Sequence, residues 1–151
     1  YNLSDGLNDK NLIDRLNEAE EIWLSSSWSN WELKYINSTI SFLKDNYNLK
    51  VKVFGTKYFG EISFNDYLKN YKLGNNKYIL KQPKDFLEFN NKLADIISDE
   101  YFVNVSSLIC IKNNFCQNIN NDNLLISYDG IHLTKAGAKT LGNLLYENLN
   151  F

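Results

Sequence analysis

The segment from Tyr128 to Ala138 carries the residues of this sequence best suited to chemistry. It holds His132, the only histidine in the chain, with Asp129 three residues before it. Across a turn that contains Gly130, a carboxylate at this spacing can accept the Nδ1 proton of the imidazole and leave Nε2 free to take another. Asp129 and His132 are therefore predicted to be the orienting acid and the general base of a Ser-His-Asp triad.

A plainer interpretation is that Asp129 is an ordinary turn aspartate and that His132 packs near the start of a helix. A bare D-x-x-H pattern arises easily by chance. The residues that follow it, L-T-K-A-G-A, and the lack of any other histidine favour the triad interpretation. Thr134 is predicted to be the N-cap of the last helix, a contribution on the order of 1 kcal/mol.

Strands and helices alternate along the rest of the chain. Apolar spacing predicts strands over 20–28, 50–55 and 101–105, and helices over 9–19, 31–47 and 64–71, from Pro83, and over 134–149. This alternation is typical of a three-layer α/β/α fold, with a parallel sheet, right-handed crossovers and helices on both faces. Ligands of such sheets bind beyond the carboxyl ends of the strands. We therefore expect the site to include segments 25–28, 55–59 and 106–107, with the Asp129/His132 turn entering from the same side.

The last helix and the polar loop before it give further expectations. The helix is predicted to bury Ala138, Leu141, Leu145 and Leu149. Gly137 and Gly142 are predicted to allow close packing on that helix. The asparagine-rich segment 113–123 is expected to be solvated.

Length and composition predict a globular chain with one domain, covering residues 1–151. The apolar fraction is 44% and the aromatic fraction 15%, enough to bury a core. A net charge of −2 without a basic stripe argues against a nucleic acid partner. No apolar run approaches the roughly 20 residues that cross a bilayer, so no membrane segment is expected. Because the sequence begins at Tyr1 and has no methionine, we expect a fragment, a processed product or an excised domain.

Cys110 and Cys116 lie close together in a segment predicted to be a polar loop. Two thiols make a poor zinc site, because structural zinc takes four ligands and the single histidine is already assigned. No metal and no cofactor are expected. The pair forms either a local disulfide or two free thiols. A disulfide would indicate an oxidising compartment; the location otherwise stays open between cytoplasmic and periplasmic or other extracytoplasmic sites.

The block Y-D-G-I-H-L-T-K-A-G-A resembles the last conserved block of the SGNH (GDSL-type) hydrolase superfamily, D-x-x-H-L-[ST]-x-x-G. More narrowly, the chain is similar to the SGNH domains that stand alone or are fused to membrane acyltransferases. The shared pieces are a strand ending in a small-residue–Trp step at 24–28, a following helix, a V-x-V-x-G strand at 51–55 and a Cys pair ahead of the D-x-x-H turn. The similarity runs from about Glu20 to Leu145 and implies a flavodoxin-like SGNH fold.

Two blocks of the family have no counterpart in the chain. The family's nucleophile lies in a G-D-S block on the first strand, and no G-D-S occurs here. The oxyanion block G-x-N-D is expected near Ser25–Asn30, where the sequence reads S-S-S-W-S-N. Either the first strand of the fold, with its serine, is missing from the chain, or the chain is a divergent member without the usual chemistry. The missing initiator methionine favours the first alternative, so we expect this fragment alone to be inactive.

The resemblance implies an ester hydrolase or O-acyltransferase domain that acts on acylated carbohydrate or small esters through a Ser-His-Asp mechanism. Asp129 and His132 would be catalytic, and Ser26, Ser27 and Trp28 would bind substrate or the oxyanion. From the residues alone, Ser25, Ser26 and Ser27 are candidates for a nucleophile or for oxyanion donors, and the simpler interpretation is a strand end that needs small residues where helix and sheet meet. The expected partner is a small-molecule or carbohydrate ester. The sequence leaves open the acyl group, the choice between hydrolysis and transfer, and the oligomeric state.

Two functions of other classes stay open. One is a non-catalytic glycan-binding module that keeps the fold, with Trp28 and Trp31 as candidates to stack on a sugar ring. The other is an interaction domain that pairs through a sheet edge left exposed by the missing strand. For the tryptophans, a place in the core or at its rim is the simpler interpretation.

Overall fold

The computed structural model describes residues 9–72, 79–111 and 115–149 of the chain. Helices and strands alternate along these ranges, which confirms the predicted α/β class. In chain order they are α1 (Lys10–Glu18), β1 (Glu21–Ser25), α2 (Asn30–Tyr47), β2 (Lys50–Phe54), α3 (Phe64–Lys72), β3 (Ile79–Lys81), α4 (Lys84–Ile96), β4 (Phe102–Val103), α5 (Val105–Ile109), β5 (Cys110–Ile111), β6 (Phe115–Gln117) and α6 (Lys135–Asn148).

Contacts within the chain define two compact units. The first unit comprises the described part of Tyr1–Phe54 together with Leu93–Val103. The second comprises the described parts of Gly55–Lys92 and Asn104–Phe151. The expectation of a single domain stays a prediction.

The first unit contains a parallel sheet of three strands in the order β1-β2-β4. Glu21 lies opposite Lys50 in the β1/β2 pair, and Val53 lies opposite Phe102 in the β2/β4 pair. Strand β2 is the central one, and its residues Val51 and Val53 are 2% and 0% exposed. Apolar, β-branched residues suit a strand buried within a parallel sheet. The predicted parallel sheet is confirmed for these three strands.

Both outer strands of this sheet are shorter than predicted. β1 ends at Ser25 and not at Trp28, and β4 covers only Phe102–Val103. The chain leaves β4 at Asn104, whose side chain accepts a hydrogen bond from the backbone N–H of Ser107 and caps α5. An asparagine at a strand end favours such a cap over further extension of the strand.

Helix α2 is the longest in the described part of the chain. It starts with a capping box in which the Ser29 backbone N–H donates to the Glu32 carboxylate at 2.7 Å. It ends at Tyr47 as predicted, and its C-cap, Asn48, has a left-handed backbone with φ of 54°. Neither α2 nor any other helix in the described ranges combines the length and the apolar character needed to cross a membrane.

The second unit contains an antiparallel sheet in the order β3-β6-β5, where the sequence predicted a polar loop around the cysteines. Cys110 and Cys116 lie opposite each other in the β5/β6 pair and form a disulfide, so that alternative is the correct one. The loop prediction was wrong because the crosslink aligns two short strands and β3 adds a third, through Leu80 opposite Cys116. The sequence pattern of 73–81 favours neither a helix nor a strand; its last three residues form β3, and 73–78 lie outside the described residues.

Helix α6 buries fewer apolar side chains than its spacing predicts. Leu141 and Leu145 are buried, but Ala138 is exposed and Leu149 is only half-buried. Gly137 is the residue that faces the protein interior in the first turn. Since successive residues are rotated by about 100° around a helix, the next residue, Ala138, points toward solvent.

The two glycines of α6 differ in their surroundings. A Cβ atom at Gly137 would lie 2.1 Å from the carbonyl oxygen of Ile126, so the predicted close packing is correct there. A Cβ atom at Gly142 would meet no heavy atom within 4 Å. The prediction was therefore wrong for Gly142, which lies on an exposed part of the helix.

Candidate active site

Asp129 and His132 form a hydrogen-bonded pair in the turn between Ser127 and Thr134. Nδ1 of His132 lies 2.5 Å from Oδ2 of Asp129. Because an ionised carboxylate can only accept, Nδ1 carries the proton, and Nε2 of the neutral imidazole keeps its lone pair. The His132 side chain is 75% exposed and the Asp129 side chain 36%. The predicted pair is thus present, with its imidazole open to solvent.

Both oxygens of the Asp129 carboxylate are engaged by donors. Oδ2 accepts from the imidazole, and Oδ1 accepts from the backbone N–H groups of His132 at 2.8 Å and Ile131 at 3.0 Å. The hydroxyl of Ser127 also donates to Oδ1, at 3.3 Å. Hydrogen bonds to the charged form favour it. The bond from the imidazole, and then the two backbone N–H groups, hold the pKa of the Asp129 carboxyl far below its usual range.

Gly130 makes the turn between the acid and the base possible. Its φ is +83°, a left-handed conformation that favours glycine. A Cβ atom there would lie 2.6 Å from the ring of Tyr58, which packs against Phe86 with ring centroids 5.0 Å apart. Partial burial, and then the Glu61 carboxylate, raise the pKa of the Tyr58 hydroxyl. The Tyr58 ring lies against Gly130 and supports the turn.

A short segment, residues 59–62, runs beside the turn, and we call it the support loop. The backbone N–H of Phe59 donates to the carbonyl oxygen of Gly130 at 2.8 Å. Glu61 forms an isolated antiparallel bridge with Asp129. The backbone of the acid is thereby paired with a second stretch of chain.

Asn118 connects the support loop to the residues that lead into the turn. Its side chain is buried, with Nδ2 donating to the carbonyl oxygen of Gly60 at 2.8 Å and Oδ1 accepting from the N–H of Ser127 at 2.9 Å. The expectation that segment 113–123 is solvated is wrong here, since Asn118 and Asn120 are 0% and 9% exposed. Their amides are buried because they form hydrogen bonds with backbone N–H and C=O groups that are not paired within a strand.

The residues after His132 attach α6 to the chain that precedes the turn. Thr134 is the N-cap as predicted, and its Oγ1 accepts from the N–H of Gly137 at 3.0 Å. The same hydroxyl donates to the carbonyl oxygen of Leu125 at 2.5 Å, and the Thr134 N–H donates to that of Ile126 at 2.9 Å. In L-T-x-x-G, threonine therefore caps the helix and glycine lets it approach the segment before the acid.

Ser26, Ser27 and Trp28, the other predicted site residues, belong to the first unit, whereas Asp129 and His132 belong to the second. Ser26 and Ser27 are exposed residues that follow β1. Trp28 is half-buried, and its indole N–H donates to the carbonyl oxygen of Phe54 at 2.7 Å, which fixes the ring within its own unit. The assignment of these three residues to substrate or oxyanion binding stays a prediction.

Two residues that support the pair were not predicted from the sequence. Ser127 lies two residues before Asp129. In an extended segment this spacing places both side chains on the same face, so the sequence does indicate this contact. Asn118 lies nine residues before Ser127. Its contact depends on how the chain folds back on itself, and no local pattern indicates it.

The second unit also contains a cavity of about 220 Å³. Its walls are largely apolar and include Phe59, Leu108, Ile109, Ile126, Leu141 and Leu144. Neither Asp129 nor His132 lines this cavity. The cavity and the exposed imidazole are therefore separate features of this unit.

In comparisons with known proteins, no family model, no curated protein and no solved structure matched the chain. The geometry of Asp129 and His132 is therefore the main basis for an inference about function.

Proposed function

We propose that the chain carries the acid and base of a Ser-His-Asp active site, in an SGNH-type ester hydrolase or O-acyltransferase that acts on acylated carbohydrate or small esters. One observation carries the proposal: the 2.5 Å hydrogen bond between Nδ1 of His132 and Oδ2 of Asp129. It orients an imidazole whose other nitrogen is accessible, as a general base requires.

In the proposed mechanism, Nε2 of His132 takes the proton of a serine Oγ as that oxygen attacks the ester carbonyl carbon. Asp129 keeps the imidazole in the required tautomer and stabilises the imidazolium that forms. The imidazolium then gives its proton to the departing alkoxide, and the acyl group stays on the serine. His132 next removes a proton from water, for hydrolysis, or from an acceptor hydroxyl, for transfer, as that oxygen attacks the acyl carbon. The bond from the acyl carbon to the serine Oγ then breaks, and the imidazolium returns its proton to Oγ.

The nucleophilic serine of this proposal lies outside the 151 residues, because the family resemblance assigns it to a G-D-S block that the sequence does not contain. Ser127 is the serine nearest to the pair in the sequence. It is 0% exposed, and its hydroxyl donates to Asp129. Ser127 is therefore a supporting residue of the acid and does not act as nucleophile.

The proposed fold is the three-layer arrangement with the flavodoxin-like strand order 2-1-3-4-5. The described parallel strands follow one another sequentially as β1-β2-β4, which agrees with positions 3-4-5 of that order. Under this assignment, the strand that bears the nucleophile would pair beyond the edge of β1. The strand order thus agrees with a doubly wound parallel sheet, the class to which the proposed fold belongs.

Turnover of an aryl acetate by the full-length gene product tests the proposal. His132→Ala should lower kcat by roughly 10⁶-fold, because loss of the triad base leaves only binding and oxyanion stabilisation. The exposed Lys139 on α6 provides a control, and Lys139→Ala should leave turnover unchanged. Undiminished turnover by the His132→Ala variant would show that the pair is not catalytic.

A second candidate function is a glycan-binding module without catalysis. It is favoured by an exposed aromatic pair on α2, in which Trp31 is 61% and Tyr35 44% exposed and their ring centroids are 6.3 Å apart. Trp31 is the candidate to stack on a sugar ring, because Lys34 Nζ lies over the Tyr35 ring, 4.6 Å from its centroid. Saturable glycan binding by the full-length gene product, combined with no turnover that depends on His132, would favour this alternative.

A further inference from the structure

The geometry points to Asn118 as a positioning residue for the catalytic pair: its side-chain amide sets the orientation of Asp129 and, through it, the tautomer of His132. The inference rests on the proposed function only for its effect on turnover. The effect on the imidazole follows from hydrogen bonds alone and can be measured without a substrate.

The Asn118 amide contacts both stretches of chain that lie next to the acid. Asn118 is 0% exposed, and both polar groups of its side chain are used. Nδ2 donates to the carbonyl oxygen of Gly60 in the support loop, and Oδ1 accepts from the N–H of Ser127. A buried amide with both groups satisfied has one preferred orientation, because any other would leave polar groups unpaired.

Both partners of the Asn118 amide are linked to Asp129. Gly60 adjoins Glu61, which is bridged to the backbone of Asp129. Ser127, the other partner of the amide, donates its hydroxyl to Oδ1 of Asp129. Asn118 therefore connects the two stretches of chain that contact the acid: the support loop, which pairs with the Asp129 backbone, and Ser127, whose hydroxyl reaches the carboxylate. The Ser127 hydroxyl joins the N–H groups of Ile131 and His132 in fixing Oδ1, and Oδ2 is then directed at Nδ1 of His132.

Nitrogen-15 NMR of the imidazole at about pH 9, where an imidazole is neutral, tests the inference. The chain has one histidine, so the spectrum contains a single imidazole. In the wild-type chain we expect the Nδ1–H tautomer, since Nδ1 donates to Asp129. In Asn118→Ala we expect a mixture in which the Nε2–H tautomer, the more abundant form of free histidine, gains population.

Asn120 supplies a matched control from the same segment. It is also a buried asparagine, but its amide accepts from the N–H of Leu124 and donates to Thr140 Oγ1. Asn120→Ala should therefore lower stability and leave the imidazole in the Nδ1–H form. The inference is overturned if Asn118→Ala keeps the wild-type tautomer, or if Asn120→Ala changes it to the same extent.

A measurement on the wild-type chain keeps the inference testable if Asn118→Ala does not fold. The amide proton of Ser127 should exchange with solvent far more slowly than that of Lys139 in the first turns of α6, because it is buried and bonded to Asn118. Fast exchange at Ser127 would overturn the inference.

In the full-length gene product, Asn118→Ala should lower kcat by up to ~10²-fold with little change in KM, as expected when a base is misplaced. The two proposals fail separately. An unchanged tautomer removes the role of Asn118, whereas undiminished turnover in His132→Ala removes the proposed function and leaves the positioning role intact.

Discussion

At the scale of single residues, Asp129 uses its two carboxylate oxygens for different tasks. Oδ1 accepts the backbone N–H groups two and three residues ahead, which closes the turn. Oδ2 accepts from the side chain of the residue three positions ahead, His132. The hydrogen bonds that close the turn also bring the imidazole of His132 back to the Asp129 carboxylate. This return of the chain explains the D-x-x-H spacing in physical terms.

The lowered pKa of Asp129 predicts a response to removal of the imidazole. In His132→Ala the pKa of the Asp129 carboxyl should rise toward its ordinary value, because the largest cause of its depression is lost. It should stay below that value, since the N–H groups of residues 131 and 132 still donate to Oδ1. A pH titration of the Asp129 carboxyl carbon by NMR measures both pKa values. A Lys139→Ala control should titrate like the wild type, and equal pKa values in His132→Ala and wild type would contradict the prediction.

The lowered pKa of Asp129 also affects how the stability of the fold depends on pH. A carboxyl whose pKa is lower in the folded than in the unfolded chain stabilises the fold above its ordinary pKa, and this contribution is lost as the pH falls through the lowered value. The difference in unfolding free energy between wild type and His132→Ala should therefore shrink below about pH 4, near the ordinary pKa of an aspartate. This trend follows from the sign of the shift alone.

At the scale of elements, the position of the pair depends on how α6 begins. Thr134 caps the helix and donates to Leu125, and Gly137 lets the first turn lie against the backbone of Ile126. The base is thus held between a helix start and the segment that contains the acid. A helix that began one residue later would remove the cap and separate His132 from this anchor.

The two glycines of α6 provide a matched test of this packing. Gly137→Ala should destabilise the chain by about 1–3 kcal/mol, because the new methyl group would meet backbone atoms of Ile126 that cannot move aside. Gly142→Ala should stabilise it by up to about 1 kcal/mol, since alanine favours a helix and nothing lies near the added carbon. Urea denaturation measures both changes. A stabilised Gly137→Ala variant would mean that α6 does not lie against Ile126.

At the scale of the whole molecule, the features predicted correctly are those set by neighbouring residues. The helix over 31–47, its end at Asn48 and the Asp129/His132 spacing each depend on a contiguous pattern. The support loop and the bonds of Asn118 join segments far apart in the sequence, and a single sequence carries no signal for them. The β5/β6 hairpin was missed for a related reason: strands of two and three residues are too short to show an alternating pattern.

The division into two units leads to a prediction about the disulfide. Cys110 and Cys116 belong to the second unit and close a loop with a sequence separation of 6, so by loop entropy their bond stabilises that unit by about 2 kcal/mol. Reduction should increase hydrogen exchange in β5 and β6 and leave the amides of β2, in the first unit, as protected as before, because local stability differs between parts of a chain. Hydrogen–deuterium exchange with and without reductant measures this, and a Cys110→Ser/Cys116→Ser double variant should reproduce the reduced state. An equal loss of protection in both units would show that they unfold together as the single domain that the sequence predicts.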